Sequence, residues 1–125
     1  MKIIAIDHVQ LAMPVGEELL AEAFYVDILG LKRVAKPDGL AQRVGAWFEN
    51  DSVKVHLGVE EKFHAARKAH PAFVVDELRE LVLILKEKGY PITPAEPMTG
   101  IERIHVSDPF GNRIELIEFR SPAHK

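Results

Sequence analysis

The chain has 125 residues, of which 47% are hydrophobic, and its 16 basic and 19 acidic side chains leave a formal charge of −3. These values are typical of one soluble domain, exclude the basic surface expected of a nucleic-acid-binding protein, and, with no cysteine present, exclude disulfides and thiolate metal sites. No apolar run approaches the ~20 residues of a membrane span, and the N-terminus lacks a signal-peptide core, so we expect a cytoplasmic protein without a membrane partner.

The first half of the chain predicts the element order β-α-β-β-β. Apolar and polar residues alternate over residues 3–12, which is typical of a strand. An apolar stripe at helical spacing covers residues 16–29, and Gly30 marks its end. The segments "LKRVA", "LAQRVGAWFE" and "SVKVHLGV" predict three further strands, separated by turns at "KPDG" and "ND".

The same order is predicted again in the second half. "HPAFVV" predicts a strand, and "DELRELVLILKEKG" predicts a helix with Asp76 as its N-cap and Gly89 at its end. "YPITPAEP" is extended, and "IERIHVSD" and "NRIELIEF" alternate as strands on either side of a "DPFGN" turn. We expect one α+β domain over residues 1–125, with a module over about 3–58, a linker over 59–69, a second module over about 70–119 and a tail over 120–125.

Four side chains suited to metal binding occupy the first and last predicted strands of the two modules. They are His8 and His56 in the first module and His70 and Glu115 in the second. Alternate residues of a strand face opposite sides, so with their apolar neighbours packed on the helix all four are expected on the helix-free face. Any one of them alone is more often solvated or hydrogen-bonded than a ligand. Their joint placement favours a site for Zn, Ni, Mn, Fe or Co.

The stretches "DHVQLAMP", "AHPAFVVDEL" and "DPFGNRIELIEF" resemble the vicinal oxygen chelate superfamily, which includes glyoxalase I, bleomycin-resistance proteins, extradiol dioxygenases and fosfomycin-resistance thiol transferases. The resemblance implies two βαβββ modules forming a curved mixed sheet around a cleft, with a divalent metal held by His8, His70 and Glu115. His56 stands where glyoxalase-like members place a fourth ligand, commonly glutamate. The resemblance also implies a homodimer with metal sites at the subunit interface.

Four further residues share the predicted face of the ligands: Arg43, Trp47, Arg103 and His105. Arginines beside a metal suit an anionic, oxygen-rich substrate, although strand arginines are more often solvated or paired with a carboxylate. Trp47 is suited to stacking on a ligand or to packing in the core. We therefore treat these four as candidate substrate-binding residues.

The leading functional hypothesis is a metal-dependent glyoxalase-like enzyme of the lyase, isomerase or transferase type, acting on a small oxygenated substrate. Proton transfer is then assigned to Glu115 or His56. Two alternatives stay open. One is an extradiol-dioxygenase-like oxygenase, in which His105 acts beside the metal. The other is a protein of the bleomycin-resistance type, which sequesters a small molecule without turnover.

Overall fold

The computed structural model describes residues 1–37, 39–40 and 44–120. These ranges contain the following helices and strands: β1 (Val9–Met13), α1 (Glu18–Tyr25), β2 (Lys32–Val34), β3 (Ala46–Glu49), β4 (Lys54–Val59), β5 (Ala72–Val74), α2 (Leu78–Glu87), β6 (Ile92–Pro94), β7 (Ile101–Ser107) and β8 (Arg113–Phe119). Their order confirms the predicted repetition of β-α-β-β-β. The chain divides into two compact units, Met1–His64 and Ala65–Lys125.

The first unit packs one helix on one face of a four-stranded sheet. The sheet order is β1-β4-β3-β2, in which β1 and β4 are parallel and the other pairs antiparallel. Ala21, Phe24 and Tyr25 are buried at the i, i+3 and i+4 spacing of a helical stripe. The ring of Tyr25 stacks on that of Phe48, with centroids 5.5 Å apart. Phe48 pairs with the buried Val55 in the next strand, so the core lies on this face and the intervening residues face the other side.

The second unit repeats this arrangement with the sheet order β5-β8-β7-β6. Leu78 and Leu85 of α2 are buried, as are Val106, Ile114 and Leu116 of the sheet. Val106 lies opposite Ile114 in the register of β7 and β8, so these apolar residues share one face. The residues between them, on the opposite face, are polar and form the candidate functional site.

The sequence predicted the C-terminal end of α2 correctly but not its N-cap. The predicted N-cap at Asp76 is wrong, because the carboxylate of Glu118 in β8 accepts hydrogen bonds from the backbone N–H groups of Glu77 and Leu78, both at 3.1 Å. The predicted end at Gly89 is confirmed. Gly89 has φ of +84°, and the N–H of Tyr90 donates to the carbonyl of Leu85 at 2.9 Å, which closes the helix in a Schellman motif.

The first strand is shorter than the alternation predicts. β1 begins at Val9, and Ile3, Ile4 and Ile6 are 91%, 88% and 87% exposed. Alternation favours an extended backbone, but a strand also needs a neighbour that satisfies its backbone hydrogen bonds. In the described part of the chain, β4 pairs with this segment only from Val9 onward. Neither described helix is long and apolar enough to cross a membrane.

Candidate functional site

A cluster of possible metal ligands lies on the helix-free face of the second unit. His70, His105 and Glu115 present ligand atoms that all lie within 4.8 Å of one another. Nε2 of His70 is 3.2 Å and Nε2 of His105 is 3.6 Å from Oε1 of Glu115. The side chains are 24%, 14% and 10% exposed, respectively. The cluster is therefore largely buried, and His70 is its most solvent-accessible member.

Strand register brings these three residues together. His105 and Glu115 lie directly opposite each other in the antiparallel pair of β7 and β8. The N–H of Glu115 donates to the carbonyl of Pro71 at 3.0 Å, which holds the segment before β5 against β8. Because a residue that precedes proline favours the extended region, Pro71 also restricts the backbone of His70.

The hydrogen-bond partners of the two histidines assign opposite tautomers to them. Nδ1 of His70 lies 2.6 Å from the carbonyl oxygen of Lys68, which can only accept, so Nδ1 carries the proton and the neutral ring has its lone pair on Nε2. Nδ1 of His105 lies 3.2 Å from Nη2 of Arg113, which can only donate, so here Nε2 carries the proton. Towards Glu115, a neutral His70 ring thus presents a lone pair, whereas His105 presents an N–H donor.

Glu115 is held as a carboxylate despite its burial. Nη1 of Arg103 donates to Oε2 of Glu115 at 3.1 Å. Burial raises the pKa of Glu115, but the hydrogen bond from Arg103 and the charge of that guanidinium act against burial, and the pKa lies below its ordinary value of 4.5. Burial, followed by the charge of Arg113, lowers the pKa of His105 below 6.5, which favours a neutral ring.

In the first unit, a stack of three rings lies on the corresponding face. The ring of His56 is 3.9 Å from that of Trp47 and 4.2 Å from that of His8, measured between centroids. Since β1 and β3 flank β4, the two rings approach His56 from opposite sides, and His56 is only 6% exposed. Burial, followed by the charge of His8, lowers the pKa of His56 below 6.5. His56 can therefore contact a further group only through its ring edge.

The tautomer of His8 is also assigned by its neighbour. Nδ1 of His8 lies 2.8 Å from Oδ2 of Asp7, a carboxylate that accepts the proton of Nδ1, so a neutral His8 ring has its lone pair on Nε2. The hydrogen bond from His8, followed by the charge of Lys54, lowers the pKa of Asp7. His8 and His70 thus share one arrangement, in which Nδ1 is bound to an oxygen acceptor and Nε2 is available.

The two clusters occupy equivalent positions in their sheets. In each unit one member lies on the last strand, and a second lies directly opposite it on the preceding strand. The third member comes two residues before the residue of the first strand that pairs with the first member, namely Gln10 in the first unit and Ala72 in the second. The corresponding pairs are His56 and Glu115, Trp47 and His105, and His8 and His70.

The "DPFGN" segment supports the cluster without belonging to it. Oδ1 of Asp108 accepts hydrogen bonds from the backbone N–H groups of Phe110 and Asn112, at 2.9 and 2.8 Å, and Oδ2 accepts one from the side-chain amide of Asn112 at 2.9 Å. Gly111 has φ of +89°, a conformation that favours glycine. This turn joins β7 to β8 and so maintains the register that sets His105 opposite Glu115.

Comparison with known families decides the classification of this fold. The family model for the Glyoxalase/Bleomycin resistance protein/Dioxygenase superfamily matches residues 5–116. The chain belongs to this superfamily. Membership in this glyoxalase superfamily confirms the resemblance seen in the sequence and the expected fold of two βαβββ modules.

Solved structures of the glyoxalase superfamily share this fold. A protein from Bacillus anthracis assigned to the glyoxalase family is 42% identical, with a TM-score of 0.88 over 96% of this chain and 98% of that one. A superfamily member from Sphaerobacter thermophilus is 26% identical, with a TM-score of 0.67 over 92% and 98% of the two chains. The fosfomycin resistance protein FosX from Listeria monocytogenes is 16% identical, with a TM-score of 0.74 over 94% of each chain, and this likeness concerns the fold alone. A search of curated proteins gives no significant match.

The sequence-predicted residues of this glyoxalase-superfamily member fall into three sets. His70, Arg103, His105 and Glu115 form one cluster in the second unit. His8, Trp47 and His56 form the ring stack of the first unit. Arg43 lies outside the described residues.

Two residues that contact the clusters, Arg113 and Asp7, are absent from the sequence-predicted set. Arg113 precedes Glu115 by two residues in β8, so the period of a strand would have placed it on the same face. Asp7 directly precedes His8 and is the acceptor that orients its ring. A search for oxygen acceptors beside each candidate ligand would have found Asp7.

Proposed function

We propose that this member of the glyoxalase superfamily is a metal-dependent, glyoxalase-like enzyme of the lyase, isomerase or transferase type that acts on a small oxygenated substrate. The observation that carries this proposal is the approach of Nε2 of His70 to Oε1 of Glu115, at 3.2 Å. With a neutral His70 ring, both atoms present lone pairs, so a positive charge between them is favourable. A divalent ion is one source of that charge, and a proton is the other.

The donor set fits a divalent ion. Imidazole nitrogen together with carboxylate oxygen suits Zn, Ni, Mn, Fe and Co. Histidines that bind metals usually donate their other ring N–H to a carbonyl or carboxylate, which is the arrangement of His70 on Lys68 and of His8 on Asp7. We therefore assign His70 and Glu115 as ligands.

The remaining candidates differ in what supports them. His105 fits poorly as a ligand, because Arg113 occupies its Nδ1 as a donor and the proton is then on Nε2. We assign His105 as a hydrogen-bond donor. His8 and His56 belong to the first unit, and their participation in the same metal site stays a prediction.

The catalytic roles follow from these assignments. A bound divalent ion supplies Lewis acidity to neighbouring oxygens of the substrate. Arg103 keeps Glu115 ionised. His105 directs its Nε2–H towards the space beside Glu115, where it can donate to a substrate oxygen that gains negative charge. Proton transfer stays assigned to Glu115 or His56, as the sequence predicts.

A second candidate function is small-molecule binding without turnover, and a recess in the first unit favours it. The recess has a volume of about 460 Å³, and Gln10, Trp47 and Gly58 contribute to its lining. A Cβ on Gly58 would lie 2.7 Å from Nε2 of Gln10, so glycine makes room for this amide. An aromatic wall with an amide beside it suits a planar ligand.

We also propose that the protein is a homodimer. The segment that precedes β1 exposes Ile3, Ile4 and Ile6 almost completely. Burial of such side chains contributes roughly 1.5–3 kcal/mol each, and a contiguous exposed apolar surface is typical of an interface. Analytical ultracentrifugation should find a dimer for the wild-type protein and a shift towards monomer for Ile4→Glu.

Metal analysis tests the enzymatic proposal. The protein purified without chelator should contain a divalent ion at a stoichiometry near one per site, and His70→Ala should lose it. His64→Ala is the matched control, since His64 is exposed and belongs to neither cluster. A wild-type protein that holds no ion, and takes none up in calorimetric titration, contradicts the proposal.

The same preparations separate the competing functions. Bound iron, together with oxygen consumption by the protein when a catechol is the substrate, favours the oxygenase. Two histidines and one carboxylate are the usual ligands of non-haem iron oxygenases. A ligand that raises the melting temperature equally with metal and with chelator favours binding without turnover.

A further inference from the structure

Two arginines of the second unit stand apart from the others in the structure. The described part of the chain contains six arginines, and four of them form ion pairs with carboxylates: Arg33, Arg79, Arg103 and Arg120. Within the described residues, Arg67 and Arg113 have no carboxylate at ion-pair distance. A half-buried guanidinium such as that of Arg113 is usually paired, so its lack of an anion requires an explanation.

Both of these arginines line the same recess. It has a volume of about 360 Å³, and no acidic residue contributes to it. Its lining includes Arg67, Thr93, His105, Ser107 and Arg113. In a chain whose formal charge is −3, this recess is a local concentration of positive charge.

The recess opens on the same face of the sheet as the metal-ligand cluster. Thr93 lies opposite His105 in the pairing of β6 and β7, and Ser107 lies opposite Arg113 in that of β7 and β8. His105 in turn lies opposite Glu115, so all five side chains share one face. His105 belongs to both the recess and the cluster.

The contact between His105 and Arg113 orients the guanidinium. Nη2 of Arg113 donates to Nδ1 of His105 at 3.2 Å. A guanidinium has five N–H donors in a planar fork, so this contact leaves Arg113 with further donors for a ligand. Thr93 and Ser107 add hydroxyl groups at the edge of the same recess.

We propose that this recess binds an oxyanion of the substrate, a carboxylate or a phosphoryl group, through Arg113 with assistance from Arg67. The substrate class is then a small molecule that carries one anionic group in addition to the oxygens it presents beside Glu115. This assignment rests on the proposed function, since it names the substrate of the same site. Arg113 is the specificity-determining residue, and His105 positions it.

Anion titration of the metal-free protein tests this assignment separately from metal binding. Inorganic phosphate and acetate are titrated at low ionic strength, and binding is followed by the NMR signals of arginine N–H groups. We expect saturable binding by the wild-type protein and a loss of about tenfold in affinity for Arg113→Gln, because a charge-assisted hydrogen bond is removed. The preferred anion indicates whether the substrate group is phosphoryl or carboxylate.

Two further variants complete the experiment. Arg67→Gln, at an exposed position, should fold normally and weaken binding by about threefold, and it tests the recess even where Arg113→Gln is unstable. Arg79→Gln is the matched control, since Arg79 pairs with Glu102 outside the recess and its loss should leave anion binding unchanged.

The outcomes distinguish the two proposals. Absence of saturable binding of both anions overturns the oxyanion site, as does equal affinity of the wild-type protein and both recess variants. Calorimetric metal titration of Arg113→Gln should match that of the wild type within about threefold, because Arg113 contacts no assigned ligand directly. Anion binding by a protein that takes up no metal supports the recess and contradicts the metal-dependent function. Metal uptake without anion binding supports the metal-dependent function and contradicts the oxyanion recess.

Discussion

His105 and Glu115 lie opposite each other across β7 and β8, with Nε2 of His105 3.6 Å from Oε1 of Glu115. His70 approaches the same oxygen to 3.2 Å but with the opposite tautomer, because its Nδ1 faces a carbonyl and that of His105 faces a guanidinium. The distances to Glu115 alone do not distinguish the two histidines. Their hydrogen-bond partners do, because they place the ring proton on different nitrogens. One is suited to bind a metal and the other to donate a hydrogen bond.

The same substitution at the two histidines should have unequal effects on metal affinity. His70→Gln removes an assigned ligand and should weaken binding by more than about 100-fold, whereas His105→Gln, which keeps a donor, should cost about tenfold or less. Calorimetric titration with Zn²⁺ or Mn²⁺ measures both. Equal losses would show that His105 is a ligand and that its assigned tautomer is wrong.

Removal of the guanidinium beside Glu115 should destabilise the metal-free protein. Arg103→Gln leaves a buried carboxylate with one partner fewer, and we expect a loss of about 1–3 kcal/mol in the free energy of unfolding. Urea denaturation measures this loss. Arg79→Gln is the control, because Arg79 has a side chain 78% exposed and should change stability by less than about 0.5 kcal/mol. Equal effects of the two substitutions would contradict the role of Arg103.

The turn between β7 and β8 should depend on Asp108. Asp108→Ala leaves the N–H groups of Phe110 and Asn112 without their acceptor in a buried turn, and we expect a loss of about 2–3 kcal/mol. Asp51→Ala, in an exposed turn, is the comparison and should change stability by less than about 0.5 kcal/mol. A loss below about 1 kcal/mol for Asp108→Ala would show that the turn tolerates these unpaired donors.

The first turn of α2 should loosen without Glu118. Glu118→Ala removes the acceptor of two helix N–H groups and a negative charge from the helix N-terminus, so we expect a loss of about 1–2 kcal/mol. Amide exchange of Glu77 and Leu78 should accelerate in step with this loss. Unchanged exchange would show that another group caps the helix. Glu87→Ala, at the other end of α2, is the control.

Glu102 should contribute to the acid sensitivity of folding. The hydrogen bonds from Arg79 and then Arg120 lower the pKa of Glu102 below 4.5. Its contribution to stability is therefore fully present above pH 4.5 and is lost as the pH falls through the lower folded-state pKa. The difference in unfolding free energy between the wild type and Glu102→Gln should shrink over that range. A difference that stays constant down to pH 3 would contradict this linkage.

Local patterns predicted much of the fold. The alternation around Glu115 placed it on a strand face opposite Ile114 and Leu116, and the structure has both apolar residues buried in the core. Gly89 ended its helix as predicted, because a positive φ is required there and glycine adopts it readily. Asp76 did not cap α2, because the acceptor that reaches the helix lies 40 residues or more away on β8.

The sequence by itself determined the repeated β-α-β-β-β order and the residue types available for a site, since both depend on periodicity and composition over short segments. Only the tertiary structure decided that Arg113 contacts His105, that Arg103 forms an ion pair with Glu115, and that the Nδ1 atoms of His70 and His105 meet an acceptor and a donor, respectively. The physical reason is that a ring nitrogen takes its proton according to the partner it meets. That partner is set by the register of strands and the path of the chain before β5, which no local pattern contains.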